Sequence, residues 1–327
     1  MKKITKFLLL PLFALVLLYG CSDEPGEQAA VVEKPRQVLV ATLMSHPALD
    51  QVIASMREKL EKEGFVEGKN LVVQVKNANG EINLIPSIVQ DAKGRNPDVI
   101  VAVTTPVAQA FSGKVESPLV FSAVTDPVSA GVISSMNSAT PGVSGVSDAW
   151  PYREQLELAR ELSPAAKRLG VLYNPGESAS QYGMEQIRKL APTMNFELVE
   201  MVATKTTEVL HAAQQNIDKV DLIYLSSDNT VIEGLPAALK VSLENNTPLI
   251  VGDSGTVERG GLAAVSVGYA GVGIETGRIV AEFLRGNTTV KPVIAEGDEI
   301  YLNAGTAEKI GLEIPSALKN RAAKVFQ

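Results

Sequence analysis

Val38-Leu39-Val40-Ala41-Thr42-Leu43 is a continuous apolar run of strand length, and after it Leu49, Val52, Ile53, Met56 and Leu60 recur at helical spacing up to Lys62-Glu63-Gly64. An unbroken apolar strand, unlike an alternating one, needs cover on both faces, and a helix directly after it supplies one cover. The unit then returns. Leu71-Val72-Val73-Gln74-Val75 precedes a helix from about Ile82, and Val99-Ile100-Val101-Ala102-Val103 precedes one from Pro106. Leu119-Val120-Phe121 and a strand near Val143 follow. The pattern predicts a parallel sheet between two layers of helices.

A second set starts after Asp148. It reads as a helix from Pro151, a strand at Leu169-Gly170-Val171-Leu172-Tyr173, a helix through Met184 and Ile187, and a strand at Phe196 to Val199. A helix near Val209, a strand at Leu222 to Leu225, a helix from Thr230 and a strand at Leu249 to Val251 complete it. The tail from Leu262 holds one strand, one helix through Ile279 and Phe283, and a short strand at Ile300-Tyr301-Leu302. That is too little for a third domain, so the tail should complete the other two. The expected fold is α/β, with two doubly wound parallel-sheet lobes joined by a hinge. Lobe 1 is expected at 37–147 plus 267–287 and lobe 2 at 148–266 plus 288–327. Crossovers are expected near Ser147-Asp148, Val265-Ser266-Val267 and Arg285-Gly286-Asn287.

Ahead of the lobes, Lys2, Lys3 and Lys6 form a basic start, and Phe7 to Leu18 is apolar except for Pro11. The run falls short of the about 20 residues that span a bilayer and reads as a secretory signal. Leu18-Tyr19-Gly20-Cys21 holds the only cysteine and resembles the lipobox of bacterial lipoproteins. This implies removal of residues 1–20, a lipid such as palmitate on Cys21, and an extracytoplasmic, membrane-anchored protein. Polar residues 21–36, with Pro25, Gly26 and Pro35, read as a flexible tether. Losing three lysines with the leader takes the net charge from −7 to −10. An acidic chain without basic clusters argues against nucleic-acid binding. Two histidines and one cysteine argue against a His-rich transition-metal site and a disulfide. No cofactor is expected.

Ligands of open α/β sheets bind beyond the carboxyl ends of the strands. Six segments there carry hydroxyl, amide or carboxylate groups: Ser45-His46-Pro47, Thr104-Thr105-Pro106, Thr125-Asp126-Pro127, Asn174-Pro175-Gly176-Glu177-Ser178, Ser226-Ser227-Asp228-Asn229 and Gly252-Asp253-Ser254-Gly255. Each could simply cap a helix or form a turn. Their recurrence at the same relative position in both sets points instead to one shared cleft.

At these loops the chain resembles the substrate-binding lipoproteins of bacterial ABC transporters, of the TrpX type. The resemblance runs from about Val38 to Pro315. It is carried by Ser45-His46-Pro47-Ala48-Leu49-Asp50, Gly64 to Asn70, Asn77-Ala78-Asn79-Gly80, Thr104 to Gln109, Phe121 to Pro127, Gly145 to Asp148, Gly170 to Asn174, Asp228 to Val231 and Gly252-Asp253. It implies a type I periplasmic-binding-protein fold, capture of a small solute by hinge closure, and delivery to an ABC permease by a monomer. Relatives favour aromatic amino acids, and Ala149-Trp150-Pro151-Tyr152-Arg153 is more aromatic than the family pattern. For a zwitterionic amino acid, Thr104, Thr105, Thr125, Ser178 and the N–H groups opening the Pro106 helix could bind the carboxylate. Asp126, Asp148, Asp228 or Asp253 could accept from the ammonium, with Asn229 adding an amide. Trp150, Tyr152, Tyr173, Tyr182 or Tyr269 could stack on a ring. His46 could donate from the rim or serve only helix entry, and Ser45 and Asn79 belong to the same candidate set. A solute-sensing module reporting to a membrane receptor would present the same cleft.

Two motifs suggest chemistry. Gly252-Asp253-Ser254-Gly255 mimics the segment around a serine-protease nucleophile, but the chain is short of histidine bases and has the wrong strand pattern. Gly271-Val272-Gly273 with Gly277 imitates a dinucleotide fingerprint, but no βαβ unit follows it, and close helix packing explains it better.

Overall fold

The opening apolar run becomes β1 (Arg36–Thr42), hydrogen-bonded in parallel to β2 (Leu71–Asn77) on one side and β3 (Val99–Val103) on the other. Val38 to Leu43 are buried, as an interior parallel strand requires. The structure is a computed structural model that describes residues 34–327; the expected leader, Cys21 and most of the tether lie outside the described residues.

The first set also contains α1 (Pro47–Lys62), α2 (Ile85–Arg95), α3 (Thr105–Phe111), β4 (Leu119–Ser122) and β5 (Val143–Ser147). The second set runs α4 (Tyr152–Leu162), β6 (Arg168–Tyr173), α5 (Ser178–Leu190), β7 (Glu197–Val202), α6 (Val209–Asn216), β8 (Leu222–Leu225), α7 (Asn229–Glu233), α8 (Leu235–Glu244), β9 (Leu249–Ile250), α9 (Ser254–Glu258) and β10 (Ala263–Ser266). The tail forms α10 (Tyr269–Leu284), β11 (Val293–Ile294), β12 (Glu299–Asn303), α11 (Ala304–Lys309), α12 (Ser316–Arg321) and β13 (Lys324–Phe326). The first sheet has the order β11-β5-β4-β3-β1-β2, and the second has β13-β12-β10-β9-β8-β6-β7. All named pairings are parallel except β10 with β12.

Helix α10 returns to the first lobe and packs along α1. The approach is close because Gly273 and Gly277 face it: a Cβ would lie 2.4 Å from the Val52 carbonyl at the first position and 2.8 Å from the Met56 carbonyl at the second. These glycines serve helix packing.

Three features depart from the sequence reading. The third crossover lies at residues 295–298, later than Arg285-Gly286-Asn287, because β11 still pairs with β5. Residues 288–294 therefore sit with the first sheet. A two-residue strand preceded by Pro292 offers no apolar run to read. The helix expected from Thr230 is two helices, α7 and α8, broken at Gly234 with Pro236 in the first turn of the second. A Cβ at Gly234 would lie 2.6 Å from the Val209 side chain, so the bend is packed in place. Finally, α9, α11, α12 and β13 are too short to leave a periodic signal.

Candidate functional site

The loops at the carboxyl ends of both sheets surround one cavity of about 500 Å³ of empty space, open solvent at its mouth included. Its walls include His46, Thr104, Thr105 and Thr125 from the first lobe, and Asp228, Asn229 and Asp253 from the second. Asp148, Trp150 and Tyr269 line it from two of the crossovers. Met44, Ala48, Leu49, Ala123, Ala179, Ser227 and Ile232 complete the lining and were not singled out from sequence. Apolar residues at strand ends and helix starts look the same whether they fill a core or face a cavity, although Ala48, Leu49, Ala123 and Ser227 lay inside quoted segments.

The crossovers carry a hydrogen-bonded chain. Trp150 Nε1 donates to the Tyr269 hydroxyl at 3.3 Å, and that hydroxyl donates to Asp148 Oδ2 at 3.0 Å. Thr125 Oγ1 lies 3.5 Å from Asp148 Oδ1. Burial outweighs these donors and pushes the Asp148 carboxyl up to about 6. The Trp150 ring packs against Gly252, where a Cβ would fall 1.9 Å from a ring carbon. Its indole edge can thus enter the wall only opposite a glycine.

Two other cavity carboxylates are occupied by helix capping. Asp228 accepts from the Val231 N–H at 3.0 Å and also from the Asn174 N–H. Burial, then the negative charge of Glu177, pushes Asp228 up to about 8. Glu177 itself accepts from the backbone N–H groups of Asn229 and Thr230 at 3.0 and 2.9 Å. Asp253 caps α9, accepting from the Thr256 N–H at 2.9 Å and the Thr256 hydroxyl at 2.5 Å. Asp148 is therefore the wall carboxylate not committed to a helix start.

The two lobes touch around the cavity. Thr125 Oγ1 and Ser227 Oγ are 3.0 Å apart, and Gln109 Nε2 donates to Ser178 Oγ at 3.0 Å. His46 caps α1 by accepting from the Ala48 N–H at Nδ1, which leaves the Nε2 proton facing Thr256 Oγ1 at 3.4 Å. Burial lowers the His46 pKa, with Asp253 opposing. Helix entry and a place in the cavity wall thus coexist at His46.

Other candidates lie away from the lining. Ser45 is exposed and donates to Asp50 at 2.7 Å. Asn79 is exposed in a turn with φ +52°. Asp126 caps its own turn, accepting from the Val128 and Ser129 N–H groups at 3.1 Å. The Tyr173 hydroxyl donates outward to Glu200 at 2.6 Å. Ser178 is held by Gln109, beside Ala179 of the wall. At Ser45, Asn79 and Asp126 local turn and cap chemistry accounts for the residue. Ser254 only opens α9 behind its Asp253 cap.

Residues 37–326 match the ABC transporter substrate binding protein family, and the chain belongs to that family. Its members are solute-binding proteins rather than enzymes, with the type I periplasmic-binding-protein fold. A tyrosine-binding protein of Clostridioides difficile is 30% identical over 325 residues, covering 97% of this chain and 94% of that protein. The crystal structure of an ABC domain from Streptococcus pneumoniae in complex with L-Trp is 25% identical, with a TM-score of 0.85 over 90% of this chain and 100% of that one. The ligand-free, open structure of a substrate binding protein with adhesive properties from Clostridium difficile is 30% identical, with a TM-score of 0.68 over 89% and 100%.

Proposed function

We propose that this chain captures an amino acid, of aromatic class, between its lobes by hinge closure and delivers it to the permease of an ABC importer. The observation that carries this reading is the cavity itself. Asp148, free of helix capping, stands at its hinge end, and Thr104, Thr105, Thr125 and Ser227 are among the residues that line it. Asp148 accepts from the solute ammonium, while the N–H groups opening α3 and the Thr105 hydroxyl donate to its carboxylate. Trp150 and Tyr269 offer the ring faces.

Closure is supported by the comparison with relatives. The L-Trp complex is less identical in sequence than the open, ligand-free structure, yet it superposes better over the same share of the chain. Divergence does not account for that order, and a lobe arrangement shared with the L-Trp complex would. Tyrosine and tryptophan, named for two relatives, are the first solutes to try. A lipid on Cys21 holds the monomeric domain outside the membrane, near its permease.

A thermal-shift screen of L-amino acids tests the reading. A solute at 100 times its Kd stabilises by about 2.7 kcal/mol, enough to raise Tm by several degrees. A rise with tyrosine or tryptophan supports the proposal, and no rise with any amino acid contradicts it.

A further inference from the structure

Thr104 ends β3 and opens α3 with φ +81° and ψ 154°. Glycine populates this region freely, while a β-branched residue is strained there. The backbone is held in it from both sides. The Thr104 N–H donates to the Ser122 carbonyl at 3.0 Å, continuing the β3–β4 ladder, and its carbonyl accepts from Ala108 at 3.0 Å to start the helix. The side chain gains nothing locally. Thr104 is 5% exposed, its hydroxyl makes no cap to α3, and Oγ1 is buried without a hydrogen-bond partner among the described residues. A threonine at this position thus carries two unfavourable features that glycine would remove, and glycine is nearly as good at a helix start.

The orphaned hydroxyl belongs to a residue of the cavity wall. Ala123, at the end of the adjacent strand β4, also lines the cavity and also has a positive φ, +51°. The strain is therefore concentrated on one side of the cavity. That side contributes no carboxylate: Asp228 and Asp253 come from the second lobe and Asp148 from the crossover. An anionic group would meet least repulsion there.

Building on the reading of this cavity as a solute site, we propose that Thr104 is a specificity-determining contact whose unpaired hydroxyl donates to the solute carboxylate, and that the chain retains a strained, less stable backbone at this position for that bond. The hydroxyl distinguishes an amino acid from its decarboxylated amine. Stability of the empty protein and affinity for the solute are set against each other at one residue.

The test measures ligand-free Tm and calorimetric affinity, with L-tyrosine, L-tryptophan, tyramine and tryptamine as probes, for wild type, Thr104→Gly, Thr104→Ser and Thr104→Val. Thr104→Gly is expected to raise the ligand-free Tm by about 2 °C or more and to weaken the bound amino acid about tenfold or more. Thr104→Val should lose affinity to the same extent without the gain in Tm, and Thr104→Ser should stay within about threefold of wild type. Wild type should prefer each amino acid to its amine, and Thr104→Gly should lose most of that preference. Unchanged affinity in Thr104→Gly, or a Tm below wild type, overturns the inference while leaving the solute site standing. A wild-type protein that binds none of the probes overturns the functional reading instead.

Discussion

The Thr125 hydroxyl, just past β4 in the first lobe, lies 3.0 Å from the Ser227 hydroxyl, just past β8 in the second. The bond exists only while the lobes are together, so it contributes to this lobe arrangement and nothing to either lobe alone. A neutral hydrogen bond is worth about 0.5–1.5 kcal/mol net. Thr125→Ala and Ser227→Ala should each weaken solute binding by about 3- to 10-fold, chiefly through faster release, and the double variant should be little worse than either. Stopped-flow binding measures this. Fully additive losses would mean that the two hydroxyls act separately.

Asp148 should carry the ammonium contact. Charge-assisted hydrogen bonds are worth about 1.5–3 kcal/mol, so Asp148→Asn should weaken an amino acid more than tenfold. A solute analogue without the amine should lose little further affinity in that variant. Asp126→Asn should bind as wild type, since Asp126 serves its own turn. Calorimetry with the two variants separates them; the reverse ranking would take the ammonium contact away from Asp148.

Binding and ligand-free stability should respond oppositely to pH. Asp148 and Asp228 are pushed up to about 6 and about 8 by burial, so the folded protein holds protons that the unfolded chain has released. Stability from these groups therefore falls as pH rises from the ordinary carboxylate range through the raised values. His46, lowered by burial, acts in the opposite sense below its ordinary range. Above about pH 7 the histidine contribution is spent, leaving Asp228. Denaturant titrations should show stability declining between about pH 7 and 9, and Asp228→Asn should flatten that slope. Affinity for an amine, which needs ionised Asp148, should instead rise about tenfold from pH 5 to 7. A flat affinity profile would remove Asp148 from the contact.

Gly255 provides a steric test of closure. A Cβ there would lie 2.9 Å from the His46 ring and 3.1 Å from Pro47, both on the opposite lobe. Gly255→Ala should therefore leave each lobe's fold intact while resisting closure. Its ligand-free Tm should match wild type within about 1 °C, and its affinity should fall about tenfold, a loss of about 1.4 kcal/mol. A large drop in Tm without loss of affinity would place the glycine's role inside its own lobe.

The two-lobed architecture was legible because buried parallel strands such as Val99–Val103 and Leu222–Leu225 are unbroken apolar runs with helices behind them. The cleft was legible because polar groups gather where those runs stop. What could not be read was which groups turn inward. Asp126, Asp148, Asp228 and Asp253 look alike in sequence, yet three of them serve turns or helix starts. Asp148 is distinguished by Tyr269, more than a hundred residues away, which only the crossovers bring to it. Nor does sequence expose the torsion at Thr104, since threonine disguises a position whose backbone suits glycine.

Small-angle scattering of the protein with and without saturating L-tyrosine or L-tryptophan, whichever binds, tests capture between the lobes most directly. Closure predicts a smaller radius of gyration and a bound-state profile matching the lobe arrangement described above. An unchanged radius with the solute demonstrably bound would contradict it.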